Sequence, residues 1–217
     1  MSAQNSNDDY TIENTWGITK NTNSGLIAGI VFKKSIRNPT GSFTTYGVEL
    51  VNYKHPAQSK WITGTGNSFT LGKVNHLFAI RGQYGRDYLL FKKAPQQGVQ
   101  ISLNLSIGPS IGLEAPYYVE YQTIRVPYDP LKHASRGDIT GRGFIFQGLF
   151  ESNIVIGANI KTSLSFEFGT LKSSVSGFEV GFLLDAYTRK INMMATAADN
   201  YAVWPTAFIT LFYGARK

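Results

Sequence analysis

The 217-residue chain contains no cysteine, which excludes a disulfide framework and any thiolate metal site. Charge is scarce: Asp, Glu, Lys and Arg make up 16% of the residues, where soluble domains carry roughly 25%. No apolar run approaches about 18 residues, so a transmembrane helix is excluded. The three histidines, His55, His76 and His133, stand singly, so neither a metal nor a cofactor is expected. The first residues lack the basic region and apolar core of a signal peptide. Aromatic residues, by contrast, reach 13%, and there are 22 glycines.

The segment Val99–Leu113 shows how this composition is used. Val99, Ile101, Leu103, Leu105, Ile107, Ile111 and Leu113 share one parity, and Gln100, Ser102, Asn104, Ser106, Gly108, Ser110 and Gly112 share the other. Successive side chains of a β-strand point to opposite faces, so this is a strand with one apolar face and one face of small neutral polar groups. Ala158, Ile160, Leu164, Phe166 and Phe168 alternate in the same way with Asn159, Lys161, Ser163, Ser165 and Glu167. A polar face without bulk suits a crowded interior, and an apolar face opposite it suits lipid, as in a small transmembrane β-barrel. Alternation alone does not say which face points out. A lipocalin-like soluble barrel, apolar inside, is the inverse of the same pattern.

The expected architecture is all-β: an antiparallel up-and-down transmembrane β-barrel of about eight strands, at roughly 14–20, 25–37, 43–54, 69–91, 98–124, 154–168, 174–187 and 204–214. Splitting 69–91 would raise the count to ten. Residues 1–13 are expected to be a disordered N-terminal segment and 14–217 the barrel domain. Outer-membrane barrels have short periplasmic turns and longer extracellular connections. The turns near 38–42, 92–97 and 169–173 are short, and three of the four connections near 21–24, 55–68, 125–153 and 188–203 are long. The expected location is therefore the outer membrane, with a mature, exported chain whose signal peptide is not in this sequence. Strands 69–91 and 98–124 exceed the 9–11 or so residues that span a bilayer. They are expected to form a long extracellular hairpin, capped by the loop at 125–153.

Seven charged residues fall on the interior parity: Glu49, Arg81, Asp87, Lys161, Glu167, Glu179 and Asp185. An eight-stranded barrel is just wide enough to be filled by side chains, and an unpaired buried charge costs several kcal/mol. A salt-bridged network closing the lumen is expected, which argues against a narrow pore. The net charge of +7 gathers at Lys33, Lys34, Arg37, Lys92, Lys93, Arg216 and Lys217, near the proposed periplasmic ends, where lipid headgroups are the expected contact. No basic–aromatic recognition motif accompanies these residues, so nucleic acid is not an expected partner. Phe144, Ile145, Phe146, Leu149 and Phe150 need cover in an extracellular loop and are expected to cap the mouth or dock a partner.

His133-Ala134-Ser135, with Asp138 nearby, resembles the His-x-Ser of outer-membrane lipid A deacylases. Here, however, the pair lies in a loop, and Arg136 stands where those enzymes have Asn. An enzyme is not expected, and a lipid-modifying barrel remains the alternative.

Glu49-Leu50-Val51-Asn52-Tyr53-Lys54-His55-Pro56, Leu77-Phe78-Ala79-Ile80-Arg81-Gly82-Gln83-Tyr84-Gly85 and Phe212-Tyr213-Gly214-Ala215-Arg216-Lys217 resemble a largely uncharacterised family of small outer-membrane β-barrel proteins of Bacteroidota. The resemblance implies location and fold without a defined activity. It also implies a structural or accessory role in the Gram-negative envelope, with outer-membrane lipid and other envelope proteins as partners.

Overall fold

The computed structural model describes residues 10–64, 66–92, 98–133, 136–168, 173–196 and 200–217. In chain order the strands are β1 (Ile12–Asn21), β2 (Gly29–Arg37), β3 (Phe43–Tyr53), β4 (Ser59–Ile62), β5 (Ser68–Leu71), β6 (Asn75–Phe91), β7 (Gln100–Pro116), β8 (Tyr118–Tyr121), β9 (Ile124–Pro127), β10 (Ile139–Arg142), β11 (Asn153–Glu167), β12 (Ser174–Tyr187) and β13 (Val203–Arg216). Eight of them, β1, β2, β3, β6, β7, β11, β12 and β13, close into one antiparallel barrel with β13 paired back to β1. Following paired residues from Ile12 leads through Ile36, Thr44, Arg86, Leu105, Thr162, Phe182 and Ala207. The circuit returns at Thr22, the residue after β1, whose N–H donates to the Ala207 carbonyl at 2.9 Å, ten residues beyond the start. That stagger tilts the strands against the barrel axis.

The two faces are assigned unambiguously. Thr15, Thr19, Ser35, Thr45, Asn104, Ser106, Ser110, Asn159 and Thr210 are buried inside, while Ile18, Phe32, Val48, Ile107, Ile160, Phe182 and Leu211 stand exposed outside. A soluble barrel with this exterior would hold a continuous apolar surface against water, and the lipocalin-like inversion is thereby overturned. Nearer the short turns, aromatic pairs ring the outside: Trp16 with Tyr213 at 6.1 Å, Tyr46 with Tyr84 at 5.4 Å and Phe166 with Phe178 at 4.8 Å. This is the interfacial girdle of a membrane-spanning barrel.

One irregularity in the wall is repaired from within. Pro109 has no N–H to give to the ladder, and the β6–β7 pairing passes from Arg81↔Ser110 to Tyr84↔Ile107 across it. A Cβ on Gly108 would lie 2.1 Å from the Gly82 carbonyl oxygen, so only glycine fits at that approach. The Asn159 side-chain amide donates to the carbonyls of Gly82, Gly108 and Pro109 at 3.2, 3.1 and 3.0 Å.

Three expectations need correction. First, residues 10–13 are not a disordered tail: Tyr10 stacks on Phe43 at 5.2 Å, the Thr11 N–H donates to the Lys217 carbonyl at 2.8 Å, and β1 begins at Ile12. Pairing with the C-terminal strand orders them through backbone groups, which composition does not report; residues 1–9 lie outside the described residues. Second, the long strands do not continue as an extracellular hairpin. The turn joining β6 to β7 falls at the short-turn end, where their pairing runs past Asp87↔Phe43, the last β3 partner, to Phe91↔Ile101. Third, at the opposite end both strands break, at Gly72 with φ +70° and at Pro116, which cannot donate to a ladder.

Beyond those breaks the chain builds a platform rather than a bare ribbon, which would be marginal in water. β4 pairs with β5, and β10, β8 and β9 form a three-stranded sheet. Phe69, Tyr117, Val119, Tyr128 and Ile139 pack between them as a small core of their own. The loop at 125–153 therefore does join one ordered cap, but through β10 and Ile139 rather than through its run of phenylalanines.

Ile107 lies near the middle of β7 with its side chain outward. Replacing it by arginine is expected to cost about 2–4 kcal/mol near the bilayer midplane, whereas Ser106→Ala on the lumen side should cost about 1 kcal/mol. Urea unfolding from lipid vesicles measures both, and an unchanged midpoint for Ile107→Arg would refute a lipid-facing wall.

Candidate functional site

All seven charged residues assigned to the interior are buried there, and they fall into layers. In the central layer Arg81 reaches β3 and β12 together: Nη1 donates to Glu49 Oε2 at 2.9 Å, and Nη2 donates to Asp185 Oδ2 at 2.7 Å. Lys161 on β11 lies 2.8 Å from Glu49 and 3.0 Å from Glu179. Ser163 donates to the same Glu179 oxygen as Lys161, Oε1, at 2.6 Å, and Ser110 donates to Asp185 Oδ1 at 2.7 Å. The Tyr53 hydroxyl donates to Asp185 and accepts from Arg81. At 2% exposure Arg81 is shielded from bulk solvent, and its two acids hold its charge in place.

The layer nearer the short turns corrects two assignments. Lys33 and Arg216 were expected at lipid headgroups, but both point inward. Lys33 Nζ lies 3.2 Å from Asp87, which also accepts from Asn104. Arg216 donates to Glu13 and Glu167, each at 2.7 Å, with its guanidinium over the Tyr10 ring at 4.0 Å. The reason is parity: Lys33 follows Val31 and precedes Ser35 on the buried face of β2, so its neighbour Lys34 takes the outward place. Lys34, Lys92 and Lys217 are exposed at this rim, Arg37 is half-buried, and Lys93 lies outside the described residues. Arg86, outward between Tyr84 and Tyr88, joins them. Its parity with those two tyrosines was legible in the sequence.

The opposite mouth is stoppered by apolar groups that alternation did not reveal. The connection after β12 folds into the barrel and buries Ile191, Met193 and Met194 against Tyr53, Leu77, Val155, Tyr187 and Trp204. Asn200 clips it: its Oδ1 accepts from the N–H groups of Met193 and Met194, each at 3.0 Å, and its amide donates to the Met194 carbonyl at 2.9 Å. Arg189 grips Glu114 on β7 with two bonds of 2.9 and 2.6 Å. Cavities within the lumen include one of about 30 Å³ beside Lys33, Asp87, Glu167 and Arg216, and one of about 10 Å³ beside Lys161 and Asn104. Spaces of that size hold about one water.

His133 serves its own turn. Its Nδ1 accepts the Asp129 N–H at 3.0 Å, and its ring lies 4.8 Å from Tyr121 and 6.0 Å from Tyr128. Ser135 lies outside the described residues. Among the described residues no cluster of three His, Asp or Glu is placed to hold a metal ion. Phe144, Ile145, Phe146 and Phe150 are exposed rather than folded over the mouth, and Leu149 is half-buried.

The class these features define is a membrane-spanning, closed eight-stranded β-barrel with a side-chain-filled interior and a folded platform at one mouth. No protein-family model matches the chain, and no curated protein matches it. Among solved structures, Ail, the attachment invasion locus protein of Yersinia pestis, aligns at 9% identity with a TM-score of 0.46, covering 96% of this chain and 99% of Ail. Ail in complex with the heparin analogue sucrose octasulfate aligns at 9% identity and 0.43, over 95% and 97% of the two chains. Neisserial surface protein A aligns at 11% identity and 0.42, over 96% and 97%. These are likenesses of architecture to small eight-stranded outer-membrane barrels; the closed barrel rests on this chain's own strand pairing.

Removing the Arg81 side chain strands Asp185 and half of Glu49 in the lumen, so Arg81→Met is expected to destabilise by about 3–5 kcal/mol. The double variant Arg81→Met, Asp185→Asn should recover part of that, as read by urea unfolding; no recovery would refute the pairing. Lys73, in the connection before β6, is buried with its ammonium 5.6 Å from the Tyr117 ring centroid. Burial, and then the charges of Lys54 and Arg142, push its pKa down to about 8. The unfolded chain thus binds this proton more tightly, and stability is penalised below about pH 8 and recovers as pH rises toward the ordinary lysine value. Lys73→Met should raise the melting temperature at pH 7, with the gap to the parent closing by pH 10. A gap that widens with pH would reverse the assignment.

Proposed function

We propose that the chain is a closed outer-membrane β-barrel acting as a structural or accessory, partner-binding component of the Gram-negative envelope, without a catalytic role. The observation that carries this reading is the filled lumen: paired charges through the middle and a stopper of Ile191, Met193 and Met194 at one mouth. A barrel filled in this way offers no path to a solute, so its working surfaces are its wall and its platform. Short turns at one end and long connections at the other orient it with the platform outside the cell. The resemblance to the small Bacteroidota barrels supports the same location and an accessory role.

In this reading the wall contacts outer-membrane lipid, and Lys34, Arg37, Arg86, Lys92 and Lys217 meet anionic headgroups of the periplasmic leaflet. The platform displays Trp61 and Ile62 on β4 and Ile124 on β9, exposed apolar side chains of the kind that anchor protein contacts. The engagement of His133 with Asp129, Tyr121 and Tyr128 supports a turn-building role over that of a catalytic base. Planar-bilayer recording of the purified protein is expected to give no stable conductance, and steady porin-like currents would refute the sealed barrel. Extracted from native membranes in mild detergent, the chain is expected to migrate in an assembly larger than the lone barrel; migration as the barrel alone would remove the accessory role.

A further inference from the structure

The exposed run between β10 and β11 has a fixed shape. The Gly143 N–H donates to the Tyr118 carbonyl at 2.7 Å, the Leu149 N–H to Phe146 at 3.1 Å and the Glu151 N–H to Gly148 at 3.1 Å. Ser152 Oγ donates back to the Leu149 carbonyl at 2.6 Å. Gly148 is pressed against the end of β7, where a Cβ would stand 2.6 Å from the Pro116 carbonyl oxygen. Backbone and cap bonds thus hold the segment, yet its aromatic side chains stay largely uncovered: Phe144 is 67% exposed, Phe146 62% and Phe150 100%.

The position of this patch says what covers it. The Phe146 ring stacks on Phe78 at 5.5 Å, and Phe78 is an outward residue of β6, two positions before Ile80 on the lipid-facing row. Phe78 is paired with Leu113 on β7, and Leu113 with Ile154 on β11. Ile154 and Ile156 are themselves exposed outward. The aromatic run therefore continues the apolar belt of the wall at its platform end. Its polar fringe lies on the other side: Arg125 of β9 stands over the Phe144 ring at 4.2 Å, and the Tyr118 hydroxyl donates to Glu151 at 2.8–2.9 Å. Apolar groups toward the belt and charges toward the platform match the gradient across a membrane interface.

We infer that Phe144–Phe150 is a membrane foot, seated at the headgroup–acyl boundary of the same bilayer that the barrel spans. The inference rests on the membrane-spanning reading of the wall. It places the aromatic cluster in lipid rather than over the mouth or against a partner protein, and it fixes the height of β8–β10 above the bilayer.

The absence of cysteine makes the test direct. Phe150→Cys, Ile156→Cys on the belt and Lys60→Cys on β4 each receive a nitroxide label, and the full chain is reconstituted into phospholipid vesicles. Collision with molecular oxygen, which concentrates in lipid, is compared with collision with a water-soluble nickel chelate. Phe150→Cys is expected to match Ile156→Cys, with an oxygen-to-nickel ratio several-fold above that of Lys60→Cys. A lipid-type ratio at Ile156 with a water-type ratio at Phe150 would overturn the foot and leave the spanning wall intact. Water-type ratios at both positions would overturn the two together. A label at Phe150 shielded from both reagents would place the segment against protein and also overturn the foot.

Discussion

Closure of the wall is the constraint on which everything else depends. Hydrocarbon offers backbone groups no hydrogen-bond partner, so a strand can cross it only inside a sheet without edges. Here the seam is β1 against β13, from Glu13↔Arg216 to Asn21↔Phe208. It explains why residues as polar as Thr11 and Glu13 are ordered at all: the C-terminal strand needs their backbone. It also explains the work done by Asn159. Pro109 interrupts the ladder in the middle of a spanning strand, and a polar side chain from the lumen supplies the donors that the wall lacks there.

Closure in turn dictates the interior. Eight strands enclose a space that side chains fill, and charges admitted to it are held by each other or not at all. Arg81 to Asp185, Lys161 to Glu49 and Arg216 to Glu167 tie strands that are not neighbours in the sheet, while Arg81 to Glu49, Lys161 to Glu179 and Arg216 to Glu13 join adjacent ones. Such ties fix the cross-section of the barrel without contributing to the wall. A buried ion pair is weak evidence of added stability, but removing one member leaves its partner stranded. The network is thus better read as specifying a single closed packing.

The outside divides into regions with different solvents. The belt meets lipid, while the platform above it has its own small core of Phe69, Tyr117, Val119, Tyr128 and Ile139 and can remain folded in water. Between them lies the aromatic run 144–150, which is rigid, exposed and continuous with the belt. With the lumen filled by paired charges and the apolar stopper, the wall and the platform are the surfaces that face lipid and water.

Much of the wall is legible in the residue pattern alone, because a strand's period of two translates parity into face without reference to the rest of the chain. Val99–Leu113 and Ala158–Phe168 declare their faces residue by residue, and Glu49, Arg81, Asp87, Lys161, Glu167, Glu179 and Asp185 follow from the same rule. Parity also holds the answer for Lys33 and Arg86, where weighing charge as a cluster misleads. The sequence alone did not determine which parity faced out, which acid met which base, or where the long strands ended. Those depend on distant partners: the C-terminal strand ordering residues 11–13, Asp87 drawing Lys33 inward, and the β12–β13 connection burying Met193 and Met194 in the mouth. Local alternation fixes the side a residue takes, whereas pairing across the barrel and burial beneath a returning loop are set by long-range closure, and only the tertiary structure decides them.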